Sequence, residues 1–152
     1  MKIAFGCDHG GFEYKTAVIE NLKNNGHEVL DFGTFSADSC DYPDYAVPVC
    51  MAVTNKEADY GVLICGTGIG MSIVANKIKG IRCAHVNDAF CAEVTRLHND
   101  TNVIALGARI ATEEEIINYI NIFINTPFEG VNGGSHATRV NKVKEVEKNF
   151  LL

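Results

Sequence analysis

The sequence predicts an α/β fold in which a five-stranded parallel sheet is covered by helices on both faces. Two observations predict it. Short apolar runs alternate along the chain with segments whose apolar residues recur at helical spacing. The apolar runs are also continuous, as in YGVLIC at positions 60–65, which is typical of parallel strands buried on both faces. Right-handed crossovers between such strands give a doubly wound sandwich.

The first half of the chain contains three predicted strands and two predicted helices. Tyr14, Val18 and Leu22 share one helical face, and Asn25-Gly26 supplies a stop signal after them. Pro43 suits the first turn of the second helix, because its missing N–H has no partner there. The strands are expected at Lys2–Phe5, His27–Phe32 and Tyr60–Cys65, and the helices from Phe12 and over Pro43 to about Asn55.

The second half continues the alternation with three helices and two strands. Thr112 and Glu115 form a capping box, which predicts where the last of these helices begins. The strands are expected at Ile81–Val86 and Asn102–Leu106. The helices are marked by Met71, Val74, Ala75 and Ile78, by Phe90, Val94 and Leu97, and by Ile116, Ile117, Ile120, Phe123 and Ile124.

A helical tail from Ser135 to Leu152 follows the last predicted strand and helix. The loop before it, Glu129–Gly134, contains three glycines and is expected to be extended or mobile. The tail carries a narrow apolar stripe, which must be covered either by the chain's own sheet or by a partner subunit. The stripe consists of Val140, Val143, Val146 and Phe150.

Composition excludes several classes of protein. A chain of 152 residues fits one domain, here 1–152, and 47% hydrophobic with 21% charged residues argues against disorder. The net charge of −6 argues against a general nucleic-acid binder, which needs an excess of cations. No apolar run is long enough for a signal peptide or a membrane span. Six cysteines without a C-x-x-C pair predict a cytoplasmic protein with reduced thiols, and neither zinc ribbon nor redox motif.

The ligand site is expected at the carboxyl ends of the strands, in the loops after strands one, three and five. The strongest local signal there is CGTGIGMS at positions 65–72, which follows a strand and opens a helix. Such a turn either binds an anion through its N–H groups or is only a tight connection. Met71 stands where the dinucleotide fingerprint needs glycine, and no Walker Gly-Lys-Ser/Thr sequence follows.

Cys65 lies at the mouth of this turn, where N–H donors and a helix N-terminus favour a thiolate. A cysteine-dependent phosphatase would place an arginine six residues later, and that position is Met71. Among the histidines, His9 follows the first strand at the predicted ligand edge, and His98 lies at a helix end that favours its charged form. His27 and His85 lie in strand patterns, where a structural role is expected.

Four blocks together resemble ribose-5-phosphate isomerase type B, a family that includes allose- and galactose-6-phosphate isomerases. The resemblance spans Lys2 to about Val140, and the blocks are KIAFGCDHGGF, DYPDYA, ICGTGIGMSIVANKIKGIRCA and LHNDTNVIALGAR. It implies a Rossmann-like three-layer sandwich that works without cofactor or metal as a homodimer, sometimes paired into a tetramer. The active site would lie at the dimer interface, with residues from both chains, and the tail would pack on the partner.

The resemblance also implies a role for individual residues in interconverting ribose 5-phosphate and ribulose 5-phosphate. Cys65 would be the base, His98 would open the sugar ring, and Thr67 of the turn would be catalytic as well. The turn would hold the cis-enediolate. The expected substrate contacts are Asp8, His9, Tyr42, Gly66, Gly68, Ile69, Gly70, Ser72, Asn99 and Arg109, with His136 and Arg139 binding the phosphate.

One position departs from the family pattern. The tail of the family usually reads G-G-R-H-x-x-R, and here Ser135 replaces the first arginine. The phosphate site therefore lacks one cation, which bears on phosphate geometry or on sugar length. Two alternatives stand beside the pentose isomerase: an isomerase of a six-carbon sugar 6-phosphate, and a non-catalytic module that binds a phosphate or nucleotide with the same fold. No membrane partner is expected for any of them.

Overall fold

The computed structural model describes residues 1–150 and contains one five-stranded parallel sheet with the order β2-β1-β3-β5-β4. This confirms the predicted sandwich. The strands are β1 Lys2–Cys7, β2 Glu28–Asp31, β3 Tyr60–Cys65, β4 Cys83–His85 and β5 Val103–Gly107. The helices are α1 Lys15–Asn24, α2 Pro43–Thr54, α3 Ile69–Ala75, α4 Ala89–Asn99, α5 Glu113–Asn125 and α6 Ser135–Phe150.

The sheet separates two hydrophobic cores, because its central strands bury side chains on both faces. On one face Phe5, Ile64 and Leu106 pack against α1, α4 and α5. On the other face Ala4 and Leu63 pack against α2 and α3. The continuous apolar runs of the sequence are explained by this double burial. None of the described helices is long and apolar enough to cross a membrane.

The capping box predicted at the start of α5 is confirmed. The Glu115 N–H donates to the Thr112 hydroxyl oxygen at 3.3 Å, and the Thr112 N–H donates to the Glu115 carboxylate at 2.8 Å. Accepting the Thr112 N–H holds the pKa of the Glu115 carboxyl below its ordinary value. The first residue of α5 could therefore be predicted from the four-residue capping motif alone.

The segments around β4 are shorter than predicted. β4 covers only Cys83–His85, and α3 ends at Ala75, before Ile78. The Asn76 side chain explains both ends, since its amide accepts the Cys83 N–H at 2.9 Å and donates to the Cys83 carbonyl at 2.9 Å. A side chain thus occupies the edge of the sheet where another strand would pair, and the pattern of apolar residues does not reveal it.

The segment before α6 was expected to be extended or mobile, and it is not extended. Glu129–Asn132 forms a turn of 3₁₀ helix that contacts α4 and α6. The α6 helix then lies against its own chain through Val140, which is 4% exposed, whereas Val143, Val146 and Phe150 are 52%, 58% and 80% exposed. Most of the stripe is therefore uncovered within one chain. The predicted end of the tail, at Leu152, lies outside the described residues.

Candidate active site

The loops that follow β1, β3 and β5 join into one surface at the carboxyl edge of the sheet. The Asp8 N–H donates to the Ile64 carbonyl at 3.2 Å, and the Arg109 N–H donates to the Gly66 carbonyl at 2.9 Å. The strands β1 and β5 flank β3 in the sheet, and the loop that follows each of them is thus hydrogen-bonded to the end of β3. The chain order reverses between β1 and β3, which is the switch point where doubly wound sheets bind ligands.

Cys65 is the last residue of β3 and lies inside the turn that leads into α3. Its Sγ accepts the Gly68 N–H at 3.0 Å, and the side chain is 5% exposed. Gly68 has a φ of 79°, a conformation that favours glycine and that lets its N–H turn back toward the sulfur. The turn therefore directs an N–H group at the sulfur of the residue predicted to be the base.

The rest of the turn is fixed by its own side chains. The Thr67 hydroxyl oxygen accepts the Ile69 N–H at 3.3 Å, and the Ser72 hydroxyl donates to the Ile69 carbonyl at 2.8 Å. These two hydroxyls close the first turn of α3, and both lie next to the residues predicted to hold the substrate. Both ends of the first turn of α3 are therefore hydrogen-bonded to side chains of the same segment.

Asp8 and His9 lie beside the turn, at the end of β1. Asp8 is 7% exposed, and its Oδ1 accepts the Gly10 N–H at 2.8 Å. The Nδ1 of His9 accepts the Cys40 N–H at 3.2 Å, so a neutral His9 ring carries its proton on Nε2. His9 is therefore arranged to donate a hydrogen bond from Nε2.

Tyr42 and Arg109 close the two sides of the turn. A Cβ at position 70 would stand 2.8 Å from the Tyr42 ring, and one at position 66 would stand 3.2 Å from the Arg109 guanidinium. Both glycines are thus in direct contact with side chains predicted to touch the substrate. Arg109 brings a positive charge to the turn, as an anionic ligand requires.

Cys7, the other cysteine at a strand end, has a different environment. Burial raises the pKa of the Cys7 thiol to about 12, outweighing a hydrogen bond from the Thr34 backbone and the charge of Lys15. The Cys7 thiol is therefore protonated near neutral pH and cannot serve as a base. Burial likewise raises the pKa of Cys50 to about 12. Neither Cys7 nor Cys50 is therefore suited to be the base.

The remaining predicted residues form a second group at α4 and α6. The rings of His98 and His136 stack with their centroids 4.2 Å apart. Arg139 donates to the Ser135 hydroxyl oxygen at 3.4 Å, and Asn99 and Arg139 line the same groove. His98, Asn99, His136 and Arg139 are therefore neighbours in one chain.

The two groups lie at opposite edges of the sheet. Near the end of α4, Arg96 donates to the Tyr60 hydroxyl at 2.9 Å. Tyr60 is the first residue of β3 and Cys65 is the last. At ~3.3 Å per residue, the Cα atoms of Tyr60 and Cys65 are therefore about 16 Å apart. The structure therefore brings the catalytic candidates together in two sets, and one chain does not unite His98 with Cys65.

Glu129 was not among the residues predicted from the sequence, and His85 was expected to have only a structural role. A carboxylate oxygen of Glu129 lies 2.8 Å from Nε2 of His136, and the turn before α6 brings it there. Ligand atoms of His98, Glu129 and His136 lie within 4.8 Å of one another, a donor set that zinc accepts in proteins. His85 contacts Thr67. Its place at the end of a strand was a signal, because that edge of the sheet holds the ligand.

A thiol beside an amide-rich turn, at the switch point of a doubly wound sheet, defines an α/β protein built around a small anionic ligand. Residues 3–143 match the model of the family described as Ribose/Galactose Isomerase. Ribose-5-phosphate isomerase B of Escherichia coli is 44% identical over 147 residues, which cover 97% of each chain. The chain belongs to the ribose/galactose isomerase family.

Solved structures agree with this assignment. The chain is similar to ribose-5-phosphate isomerase B of Clostridium thermocellum, with a TM-score of 0.94, 44% identity and 99% of each chain covered. It is also similar to the Mycoplasma genitalium ribose-5-phosphate isomerase B with bound ribulose 5-phosphate. That comparison gives a TM-score of 0.90 and 38% identity, and covers 97% of this chain and 96% of the other.

Proposed function

We propose that this chain is an aldose–ketose isomerase that interconverts D-ribose 5-phosphate and D-ribulose 5-phosphate. Its family and its E. coli relative support the reaction, and the M. genitalium structure with bound ribulose 5-phosphate supports the substrate. The observation that carries the proposal is the contact between the Gly68 N–H and the Cys65 sulfur at 3.0 Å. The proposed base and an N–H donor to its sulfur lie in the same turn.

The chemistry follows from this arrangement. In the open-chain aldose, the Cys65 thiolate takes the proton from C2, and the electrons of the broken C–H bond form the C1–C2 double bond. Charge then moves to the oxygen on C1, where N–H groups of the Gly66–Gly70 turn stabilise the enediolate. The Cys65 thiol then returns the proton to C1, the proton of the C2 hydroxyl is transferred to the oxygen on C1, and the electrons left on the C2 oxygen form the carbonyl of the ketose. General-base catalysis of this kind typically contributes roughly 10²–10⁴-fold.

The complete site is composed of two chains in a homodimer. One chain contributes the carboxyl-edge group, in which Asp8, His9, Tyr42 and Arg109 surround the turn. The partner's α4 and α6 contribute the second group, in which His98 opens the furanose ring and Arg139 binds the phosphate. The support for this is the separation of the two groups within one chain and the exposed stripe on α6. Two such dimers could pair into a tetramer.

The whole chain, 1–152, acts as one isomerase domain, and we place it in the cytoplasm. All six cysteines are free in the structure, although Cys40, Cys83 and Cys91 are partly accessible. Partly accessible thiols persist where glutathione and thioredoxin keep them reduced. The phosphate of the substrate supplies binding energy far from the reacting carbons and orients them toward Cys65.

A six-carbon sugar 6-phosphate is the second candidate substrate. Ser135 favours it, because the missing cation at this position changes how the phosphate end is anchored. A longer sugar would need its phosphate farther from Cys65. The catalytic group at the carboxyl edge would be the same for both sugars, so the reaction class does not depend on the choice.

A coupled isomerase assay with ribose 5-phosphate, allose 6-phosphate and galactose 6-phosphate tests the proposal. We expect the highest kcat/KM with ribose 5-phosphate. Cys65→Ala should lose at least roughly 10²-fold in kcat while still binding the substrate. Cys7→Ala is the matched control. The native Cys7 thiol is protonated, so its removal should leave turnover intact. Near-native turnover by Cys65→Ala, or a preference for a hexose phosphate, would refute the corresponding part of the proposal.

A further inference from the structure

The peptide group between Thr67 and Gly68 is hydrogen-bonded at both ends. Its carbonyl oxygen lies 2.7 Å from Nε2 of His85, and its N–H lies 3.0 Å from Sγ of Cys65. Because a carbonyl only accepts, Nε2 of His85 must carry the proton in this contact. The result is a continuous chain of hydrogen bonds from the His85 imidazole, through one peptide group, to the sulfur.

The His85 ring is held where this contact requires it. His85 is the last residue of β4 and pairs with Ala105 in the sheet. A Cβ at position 68 would stand 2.7 Å from Cδ2 of His85, so the ring packs directly on Gly68. The imidazole is thus anchored by the sheet on one side and by the turn on the other.

A peptide group bonded at both ends has one orientation. If the Thr67 carbonyl lost its donor, the peptide could rotate and carry the Gly68 N–H away from the sulfur, because φ and ψ are the soft dihedrals of the backbone. A donor on the carbonyl also polarises the peptide and strengthens the hydrogen bond that its N–H donates. Both effects act on the same atom, the sulfur of Cys65.

We propose that His85 is a positioning residue for Cys65, which fixes the Thr67–Gly68 peptide so that its N–H stabilises the thiolate. This rests on the proposed role of Cys65 as the base. His85 does not touch the reacting carbons, and it acts only through the turn. The competing explanation is that the ring merely fills the space above Gly68, in which case its hydrogen bond would not matter.

Two substitutions separate these explanations. His85→Leu keeps an apolar side chain above Gly68 but removes the donor. His85→Gln keeps an N–H donor at a position similar to Nε2 and removes the ring. The measurements are kcat and KM with ribose 5-phosphate, the rate at which iodoacetamide alkylates Cys65 at one fixed neutral pH, and thermal unfolding as a check of folding. Mass spectrometry of peptides assigns the alkylated cysteine, and Cys7 serves as the unreactive internal reference.

We expect His85→Leu to lower both kcat and the alkylation rate by about tenfold, the effect of one hydrogen bond to a charged group, with KM nearly unchanged. His85→Gln should recover most of both. Equal losses in the two variants, or no loss in His85→Leu, would overturn the proposal. Alkylation does not require turnover, so it decides the role of His85 even if the chain proves inactive on ribose 5-phosphate, which would instead refute the proposed function.

Discussion

The imidazole rings of His98 and His136 stack face to face, with centroids 4.2 Å apart and 6° between their planes. Nε2 of His136 also lies 2.8 Å from a carboxylate oxygen of Glu129. Glu129 therefore orients His136, and His136 supports the face of the His98 ring. Three elements, α4, α6 and the turn between α5 and α6, converge on the residue expected to open the sugar ring.

We expect His98→Asn to impair ring opening and to spare proton transfer. Ribose 5-phosphate is mostly cyclic, so its turnover should fall strongly. Ribulose 5-phosphate cannot close in the same way, so its exchange of the C1 proton with deuterated water should continue. Nuclear magnetic resonance measures this exchange directly. Cys65→Ala is the matched comparison and should lose both exchange and turnover. A parallel loss of exchange and turnover in His98→Asn would show that His98 takes part in isomerisation itself.

The sheet and the ligand edge could be predicted from the sequence because they depend on local periodicity and on a general rule for parallel sheets. The ends of β4 and α3 could not, because they depend on the hydrogen bonds of one side-chain amide, that of Asn76. Nor could the contact between Glu129 and His136, since a turn that looked extended brings them together. Patterns of apolar residues report burial, and these features depend on single polar side chains.

The large distance between His98 and Cys65 within one chain, by contrast, follows from the order of strands and helices in the sequence. A helix that follows a parallel strand runs back across the sheet, so its last residues lie at the edge opposite the strand ends. His98 at the end of α4 and Cys65 at the end of β3 therefore had to lie far apart in one chain.

Inactive chains should complement each other if each site draws on two subunits. Mixing Cys65→Ala with Arg139→Ala gives heterodimers in which one of the two sites is intact. Random pairing then restores about a quarter of the sites in a two-fold symmetric dimer. Activity after unfolding and refolding of the mixture measures this. Mixing Cys65→Ala with Thr67→Ala is the control and should not rescue, because both changes affect the same group. No recovery in the first mixture would indicate that each chain contains its whole site.

The exposed part of the α6 stripe should hold the dimer together. We expect Val143→Asp to yield monomers in analytical ultracentrifugation and to abolish turnover, because a charge opposes burial against the partner. The monomer should remain folded, since Val143 is 52% exposed within its own chain. Asn149→Asp adds the same charge on another face of α6 and should leave the dimer intact. A Val143→Asp chain that stays dimeric and active would assign the interface to a different surface.

Restoring the arginine that the family usually has at position 135 should tighten the phosphate site. Ser135 lies one helical turn before Arg139, and its hydroxyl already accepts a hydrogen bond from that guanidinium at 3.4 Å. An arginine at position 135 would therefore place a second guanidinium beside the first, where both can make paired contacts with one phosphate. We expect Ser135→Arg to lower KM for ribose 5-phosphate and the inhibition constant of inorganic phosphate by about tenfold, the effect of one added charge-assisted contact.

The size of this effect should depend on salt, because the added contact is ionic and partly exposed to solvent. Ser135→Gln is the matched control, since it lengthens the side chain without adding charge, and it should leave phosphate inhibition unchanged. If Ser135→Arg and Ser135→Gln bind inorganic phosphate equally, position 135 does not face the phosphate. If phosphate binding tightens while kcat/KM shifts from ribose 5-phosphate toward a six-carbon sugar phosphate, the charge at this position sets sugar length as well as affinity.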